Sequence, residues 1–378
     1  MTSRHRTHND LHSEQGAMSG EHPGRARNSV IKVRDLAWLE FVKPDLAASE
    51  RFAHAFGFTT VSRTADELLL RGTDTGAPCV LVRRGPRSRY VGAAFRAADA
   101  TDLAKLADVA GGTVQELPEH LGGLSVGLTD PSGVMARVVT DTHELAALPP
   151  QPAQELNFGH RVVRANTTQR PPRAPARIQR LGHVVLQTTR YLETLDWYLH
   201  HLGLIVSDFK YYQGQRERGP TMSFIRCDAG ATPTDHHTLA MMLGPSNRYV
   251  HSAFQVADLD ALAAGGEHLR DLGFRRSWGI GRHIEGSQIF DYWRDPDGLL
   301  VEHYTDGDLF DSTLEPGWSP MTASGLAQWG PPATNDFLGL TPGRDLMHEL
   351  VSMARSLRDD DNEFDLTRLR GLLKVTGS

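Results

Sequence analysis

The sequence predicts an α+β protein of four units, each a strand, a helix and then three strands, arranged as two tandem repeats. Three observations carry this. Apolar periodicity passes from strand-like to helical and back in the same order four times. Three segments of the first half lie on three of the second: Leu36–Phe41 on Leu181–Leu186, Arg89–Phe95 on Arg248–Phe254, and Asp130–Arg137 on Asp295–Glu302. Between the halves, Leu148-Pro-Pro-Gln-Pro152 and Arg170-Pro-Pro-Arg-Ala-Pro175 bracket a segment without periodicity, the mark of a linker.

Taken in order, residues 1–29 are polar and rich in His, Arg, Ser and Asn, which reads as a disordered leader. On that reading His5, His8, His12 and His22 are solvated. Residues 30–147 form the first repeat. Ile31–Val42 is a strand, Asp45–Phe56 a helix with Leu46, Phe52 and Phe56 on one side, and short strands follow near 59–62, 67–71 and 79–82. The order restarts with a strand at 90–96, a helix at 100–110 and strands up to 134–139. After the linker, 148–177, residues 178–310 repeat the text. Leu181–Thr188 is a strand and Tyr191–His201 a helix closed by Gly203, with strands near 204–209, 221–227 and 237–243. The last unit has a strand at 249–256, a helix at 259–272 ended by Gly273, and strands at 274–278, 287–293 and 299–304. Residues 311–378 are an extension: Trp318–Leu340 is Pro- and Gly-rich, suited to lie over a pocket or along a subunit contact. Short helices are expected at 345–357 and 366–373.

A chain of 378 residues with a net charge of −6 gives no electrostatic reason to expect nucleic acid or a membrane surface. It has no apolar run long enough to span a bilayer and no apolar signal core, so a cytoplasmic setting is expected. Two cysteines, Cys79 and Cys227, make neither a disulfide framework nor a thiolate metal site. Eighteen histidines are ample for metal ligation.

The repeat singles out three positions. His183, His251 and Glu302 stand where the first half has Trp38, Gly92 and Arg137. The pattern is that of a duplicated module with one ligand-bearing copy and one vacated copy. Two imidazoles and one carboxylate on one face of an ion leave positions open, the facial triad of non-haem Fe(II) oxygenases; Mn(II) accepts the same set. Each residue alone has a plainer reading, since a lone strand His is more often a hydrogen-bonded core residue and Glu302 could pair with an Arg. In the stretch Gly281–His303, alternation turns Leu300, Glu302 and Tyr304 one way and Val301 and His303 the other, across the Asp295-Pro-Asp-Gly298 turn from Tyr292. His236, His237, His283 and Tyr292 complete a set suited to moving protons.

Leu181-Gly-His183, Asp235-His-His-Thr-Leu-Ala240, Val250-His-Ser-Ala-Phe254 and Gly281-Arg-His283 through Glu302 resemble the type I extradiol ring-cleavage dioxygenases of the vicinal oxygen chelate (glyoxalase/bleomycin resistance/dioxygenase) superfamily. Examples are 2,3-dihydroxybiphenyl and catechol 2,3-dioxygenases, with Phe290-Asp-Tyr-Trp293 and Glu302–Asp308 nearest to trihydroxytoluene oxygenases. The resemblance implies four βαβββ modules in two tandem domains, each a half-open mixed β-barrel flanked by helices, with Fe(II) only in the second. It implies His183, His251 and Glu302 as iron ligands, His237 as acid–base residue, and His283 and Tyr292 as groups that contact the substrate. It further implies a catechol-type substrate, O2 as co-substrate and a homo-oligomer. One departure is Asp291, where the family pattern has an apolar residue before its Tyr; it is expected to touch the pocket. The alternatives are another metalloenzyme of the superfamily, an isomerase or transferase, whose sites commonly use two carboxylates, and a protein that binds an aromatic compound without turning it over.

Overall fold

A computed structural model of the chain describes residues 15–339, 353–354, 356–359 and 361–375. The first repeat runs β1 (Asp35–Lys43), α1 (Leu46–Phe56), β2 (Thr59–Arg63), β3 (Glu67–Arg71), β4 (Val80–Arg84), β5 (Arg89–Arg96), α2 (Ala100–Ala110), β6 (Val114–Glu116), β7 (Leu124–Thr129) and β8 (Met135–Thr140). The second runs β9 (Arg180–Thr188), α3 (Tyr191–Leu202), β10 (Leu204–Tyr212), β11 (Met222–Cys227), β12 (Thr234–Asp235), β13 (Leu239–Leu243), β14 (Arg248–Gln255), α4 (Leu259–Asp271), β15 (Arg275–His283), β16 (Ile289–Arg294) and β17 (Leu300–Thr305). Beyond it come β18 (Leu309–Phe310), β19 (Gly317–Met321), β20 (Ala327–Trp329) and α5 (Leu366–Val375).

Each repeat makes one mixed sheet, and the two sheets share one strand order. The first is β2-β3-β4-β1-β5-β8-β7-β6; the second is β10-β11-β13-β9-β14-β17-β16-β15, extended by β19 at one edge and β20 at the other. The central pair of each is antiparallel, β1 on β5 and β9 on β14, and each member has a parallel neighbour outside it. Parallel neighbours need crossovers, and α1 to α4 supply them on the outer faces. The caps are local: Asp45, Asp99 and Asp258 accept from the first free N–H groups of α1, α2 and α4. α3 has no side-chain cap of its own. Glu363 of the extension takes that place, accepting from Leu192 N at 2.9 Å.

The repeats are locked face to face by their equivalent turns. Asp130 Oδ1 folds its own turn by accepting from Ser132 N and Val134 N; Asp295 Oδ1 does so from Asp297 N and Leu299 N. The other oxygen of each reaches the opposite repeat: Asp130 Oδ2 accepts from Tyr198 OH at 3.0 Å, and Asp295 Oδ2 from Lys43 Nζ. Between the turns one apolar core crosses the interface, with Phe58 edge-on to Phe254 and Phe52 edge-on to Phe274. Each ring buried there contributes about 1.5–3 kcal/mol. His303 belongs to this core. It stacks on Phe56 and donates Nε2–H to the Phe56 carbonyl at 2.7 Å, on the face opposite Glu302.

One expectation needs correction. Residues 1–14 of the expected leader lie outside the described residues, but 15–29 are ordered against the second repeat. Glu21 pairs with Arg216, Gly24 O accepts from Val206 N, and Gln15 bridges Trp318. Polar and backbone bonds hold this segment, and hydropathy does not register them. The helix expected at 345–357 falls largely outside the described residues, whereas that at 366–373 is α5.

Candidate metal centre

Five strands of the second sheet, together with the chain just before β13, line one cavity, so this sheet curls round it. His183 comes from the centre of β9, His251 from β14, Glu302 from β17, Tyr292 from β16, His283 from the last residue of β15, and His237 from just before β13. These six residues meet here, with His236 directly behind His237.

Registry explains the meeting. Ala253 pairs with His183 on one side and Glu302 on the other, while His251 pairs with Leu300. His183, His251 and Glu302 are 1%, 7% and 0% exposed. His183 Nε2 lies 3.3 Å from His251 Nε2 and 3.4 Å from Glu302 Oε2, and His251 Nε2 lies 3.3 Å from the same oxygen. Neither oxygen of Glu302 has a well-aimed hydrogen-bond donor, and Nδ1 of both histidines is also unpartnered. An ionised carboxylate in such a place is costly unless a cation joins it. The triangle has the edge that bonds of about 2.1 Å to one transition-metal ion would span. Burial holds the His183 imidazole below its usual pKa, hence neutral and able to offer a lone pair. The donor set fits a divalent transition metal.

The first repeat shows why its copy cannot do this. In the same register Ala94 pairs with Trp38 and Arg137, and Gly92 with Met135. Trp38 Nε1 and Arg137 Nε both donate to Glu40 Oε1, at 3.2 and 3.1 Å, so this carboxylate is satisfied without an ion. A Cβ at Gly92 would lie 2.0 Å from the Met135 carbonyl oxygen, which leaves no room for an imidazole.

Around the triad, hydrogen bonds fix the proton positions. His283 donates Nδ1–H to the Leu326 carbonyl at 2.8 Å, so its Nε2 accepts from Tyr292 OH at 2.8 Å. Burial lowers the pKa of His283 and, with Glu302 adding to it, raises that of Tyr292, so both are neutral near pH 7. His237 lies across the face of His183, ring centres 3.9 Å apart. Its Nδ1 is 3.0 Å from His236 Nδ1, and His236 Nε2 donates to Asp208 Oδ2 at 2.6 Å. With its Nε2 on Asp208, His236 turns Nδ1 toward His237 Nδ1, so one proton lies between the two rings. Burial, and after it the neighbouring imidazoles, holds the pKa of His237 well below the ordinary value.

These features account for the comparisons with known proteins. Residues 180–303 match the profile of the Glyoxalase/Bleomycin resistance protein/Dioxygenase superfamily. The match spans nearly the whole second repeat. Over 336 residues the chain is 29% identical to Metapyrocatechase 2 of Cupriavidus necator, covering 87% of this chain and 98% of that protein. It is 23% identical to an iron-dependent extradiol dioxygenase of Rhodococcus jostii (strain RHA1), covering 82% and 100%. Among solved structures, a substrate complex of homoprotocatechuate 2,3-dioxygenase from Brevibacterium fuscum superposes with a TM-score of 0.65 at 17% identity, covering 84% of this chain and 95% of that one. A Mn(II)-bound glyoxalase from Novosphingobium aromaticivorans superposes with a TM-score of 0.66 at 22% identity, covering 81% and 94%. At these identities the structures show a common fold.

Asp291 is not in the pocket. It is fully buried on the opposite face of β16, where Arg276 Nη2 and Trp293 Nε1 donate to its Oδ2 at 3.1 and 2.9 Å. The position one residue from Tyr292 must face away from it. Sequence reasoning missed the remaining wall. Val185 of β9 and Phe224 of β11 carry the strand alternation but no chemical signal. Leu326 and Phe337 come from the Pro- and Gly-rich extension, which does lie over the pocket. Glu285 and Gln288 sit inside the singled-out stretch Gly281–His303, Gln288 in its expected strand 287–293, but nothing in the sequence marks either as a pocket residue.

Proposed function

We propose that the chain is an extradiol dioxygenase: it cleaves the ring of a catechol-type substrate with O2 at one Fe(II) ion held by His183, His251 and Glu302. The observation that carries this is the buried triangle of Nε2, Nε2 and Oε2 around a carboxylate with no hydrogen-bond donor. The iron-dependent and catechol-cleaving relatives matched over more than four-fifths of the chain support it. Held there, Fe(II) supplies open positions for both catechol oxygens and for O2, Lewis acidity, and electronic coupling between the two.

The chain's own residues supply the rest. His237, beside His183 and joined through Nδ1 to His236, takes a phenolic proton and returns it to an O2-derived oxygen. The Tyr292 hydroxyl, bonded to His283 Nε2, orients against the substrate oxygen and fixes the His283 tautomer. Phe224, Val185, Leu326 and Phe337 flank the ring and keep water out. The bond broken joins a hydroxylated ring carbon to its unhydroxylated neighbour, and both atoms of O2 enter the product, so no external reductant is needed.

The test is O2 consumption by anaerobically iron-loaded protein against a panel of catechols, with spectra recorded for a yellow ring-opened product. Uptake matched one for one by product is expected. Iron retained with tight catechol binding but no uptake would refute turnover and favour a binding protein; no retained iron would refute the triad.

A further inference from the structure

The cavity has a second polar group besides the histidine–tyrosine cluster. The loop between β15 and β16 places Glu285 and Gln288 in its wall. Both are more than nine-tenths buried, at 6% and 2% exposure. Glu285 is held from behind: its Oε1 accepts from Lys210 Nζ and from Ser319 Oγ at 3.1 Å, and Lys210 also bonds Ser319 at 3.1 Å. These partners all fall on Oε1, leaving Oε2 for the cavity. Gln288 Oε1 is buried with no hydrogen-bond partner. The remaining lining outside the histidine–tyrosine cluster is apolar. Among the described residues no Arg or Lys lines the cavity, and Lys210 is 1% exposed behind Glu285.

Buried polar atoms are almost always paired, and one left open in a ligand cavity finds its partner when the ligand arrives. A carboxylate only accepts, so Glu285 sets the sign: the incoming group must donate. A substrate carboxylate would meet like charge with no exposed cation to offset it. A methyl group would leave Oε2 of Glu285 and Oε1 of Gln288 unpaired.

We propose that Glu285 and Gln288 are a specificity site for an uncharged, hydrogen-bond-donating substituent on the ring, such as a hydroxyl, hydroxymethyl or amino group, and that they select against a carboxylate. The inference rests on the ring-cleavage reading for the nature of the ring, but not for the sign of the selectivity.

The experiment is anaerobic titration of the iron-loaded full chain with methyl-, hydroxymethyl- and carboxyl-substituted catechols, in the 3- and 4-positions. The hydroxymethyl compound is expected to bind about 10- to 100-fold more tightly than its methyl analogue in at least one series, with the carboxylate weakest. Glu285→Gln and Gln288→Leu should each shrink that ratio to a few-fold. Glu285→Gln, which leaves Lys210 without its carboxylate, should also improve carboxylate binding relative to hydroxymethyl. Because each ratio compares two ligands on one protein, partial loss of folded variant does not alter it, and either variant alone suffices. Equal binding of methyl and hydroxymethyl compounds in both series, tightest binding of the carboxylate, or an unchanged ratio in the variants would overturn the proposal. If the binding order holds but no catechol consumes O2, the ring-cleavage reading fails and the selectivity stands.

Discussion

Replacing Glu302 by Gln separates stability from metal binding. The side chain is wholly buried, and neither oxygen has a well-aimed donor. Its closest polar neighbours are the His183 and His251 nitrogens at 3.4 and 3.3 Å. In the metal-free protein this carboxylate is a liability, and an unsatisfied buried group typically costs about 1–3 kcal/mol, more when charged. An amide of the same shape sheds the charge and can donate to an imidazole nitrogen. Metal-free Glu302→Gln should therefore be as stable as wild type or more stable, by about 1–3 kcal/mol. With metal the order should reverse. At a free iron concentration a thousand times the dissociation constant, wild type gains about 4 kcal/mol, and a variant lacking the anionic ligand gains little. Thermal unfolding midpoints with chelator and with excess Fe(II), measured anaerobically for both proteins, give all four values. A metal-free variant much less stable than wild type would show that the carboxylate is already paired, and the reasoning would fail. So would equal stabilisation of the two proteins by iron.

Further predictions concern the proton path and the frame. His237→Phe should retain iron, because this ring lies against a ligand without being one, and should lower kcat by about 10²–10⁴-fold, read as O2 uptake at saturating catechol. Asp291 has its pKa pushed up to about 7 by burial, against the opposing Arg276. Its folded pKa lies above the unfolded one, so its favourable contribution is complete below about pH 4 and lost as pH rises through about 7. Asp291→Asn should remove up to about 4 kcal/mol of that fall from the stability–pH curve; an unchanged slope in denaturant titrations between pH 4 and 8 would contradict it. Lys43→Met leaves Asp295 and Asp297 facing the other repeat without their cation, and should destabilise by about 3–5 kcal/mol. Adding Asp295→Asn should recover part of that loss, and no recovery would argue against the pair as the link between repeats.

Much of this could be read in the sequence because duplication preserves register. Once Leu36–Phe41 is laid on Leu181–Leu186, Trp38 and His183 must occupy equivalent places, and both do pair with an alanine of the next strand. The Asp-Pro-x-Gly turns fixed β17 and β8 in the same manner, so Glu302 and Arg137 fell into line. What escaped was what register does not carry. Asp291 looked like a pocket residue because it adjoins Tyr292 in sequence, whereas adjacency in a strand means opposite faces. Residues 15–29 looked like a solvated leader because their partners, Arg216 and the Val206 backbone, lie nearly two hundred positions away. Glu285 and Gln288 gave no sign of burial, since Lys210, which satisfies Glu285, comes from a distant strand and the cover over the cavity from the extension.

The most direct test of the metal centre is anomalous diffraction at the iron edge from anaerobically iron-loaded crystals of the full chain. The account predicts one peak, bonded to His183 Nε2, His251 Nε2 and Glu302, and none beside Trp38, Glu40 and Arg137. A peak in the first repeat, or one ligated by other residues while these three stay unbound, would contradict it.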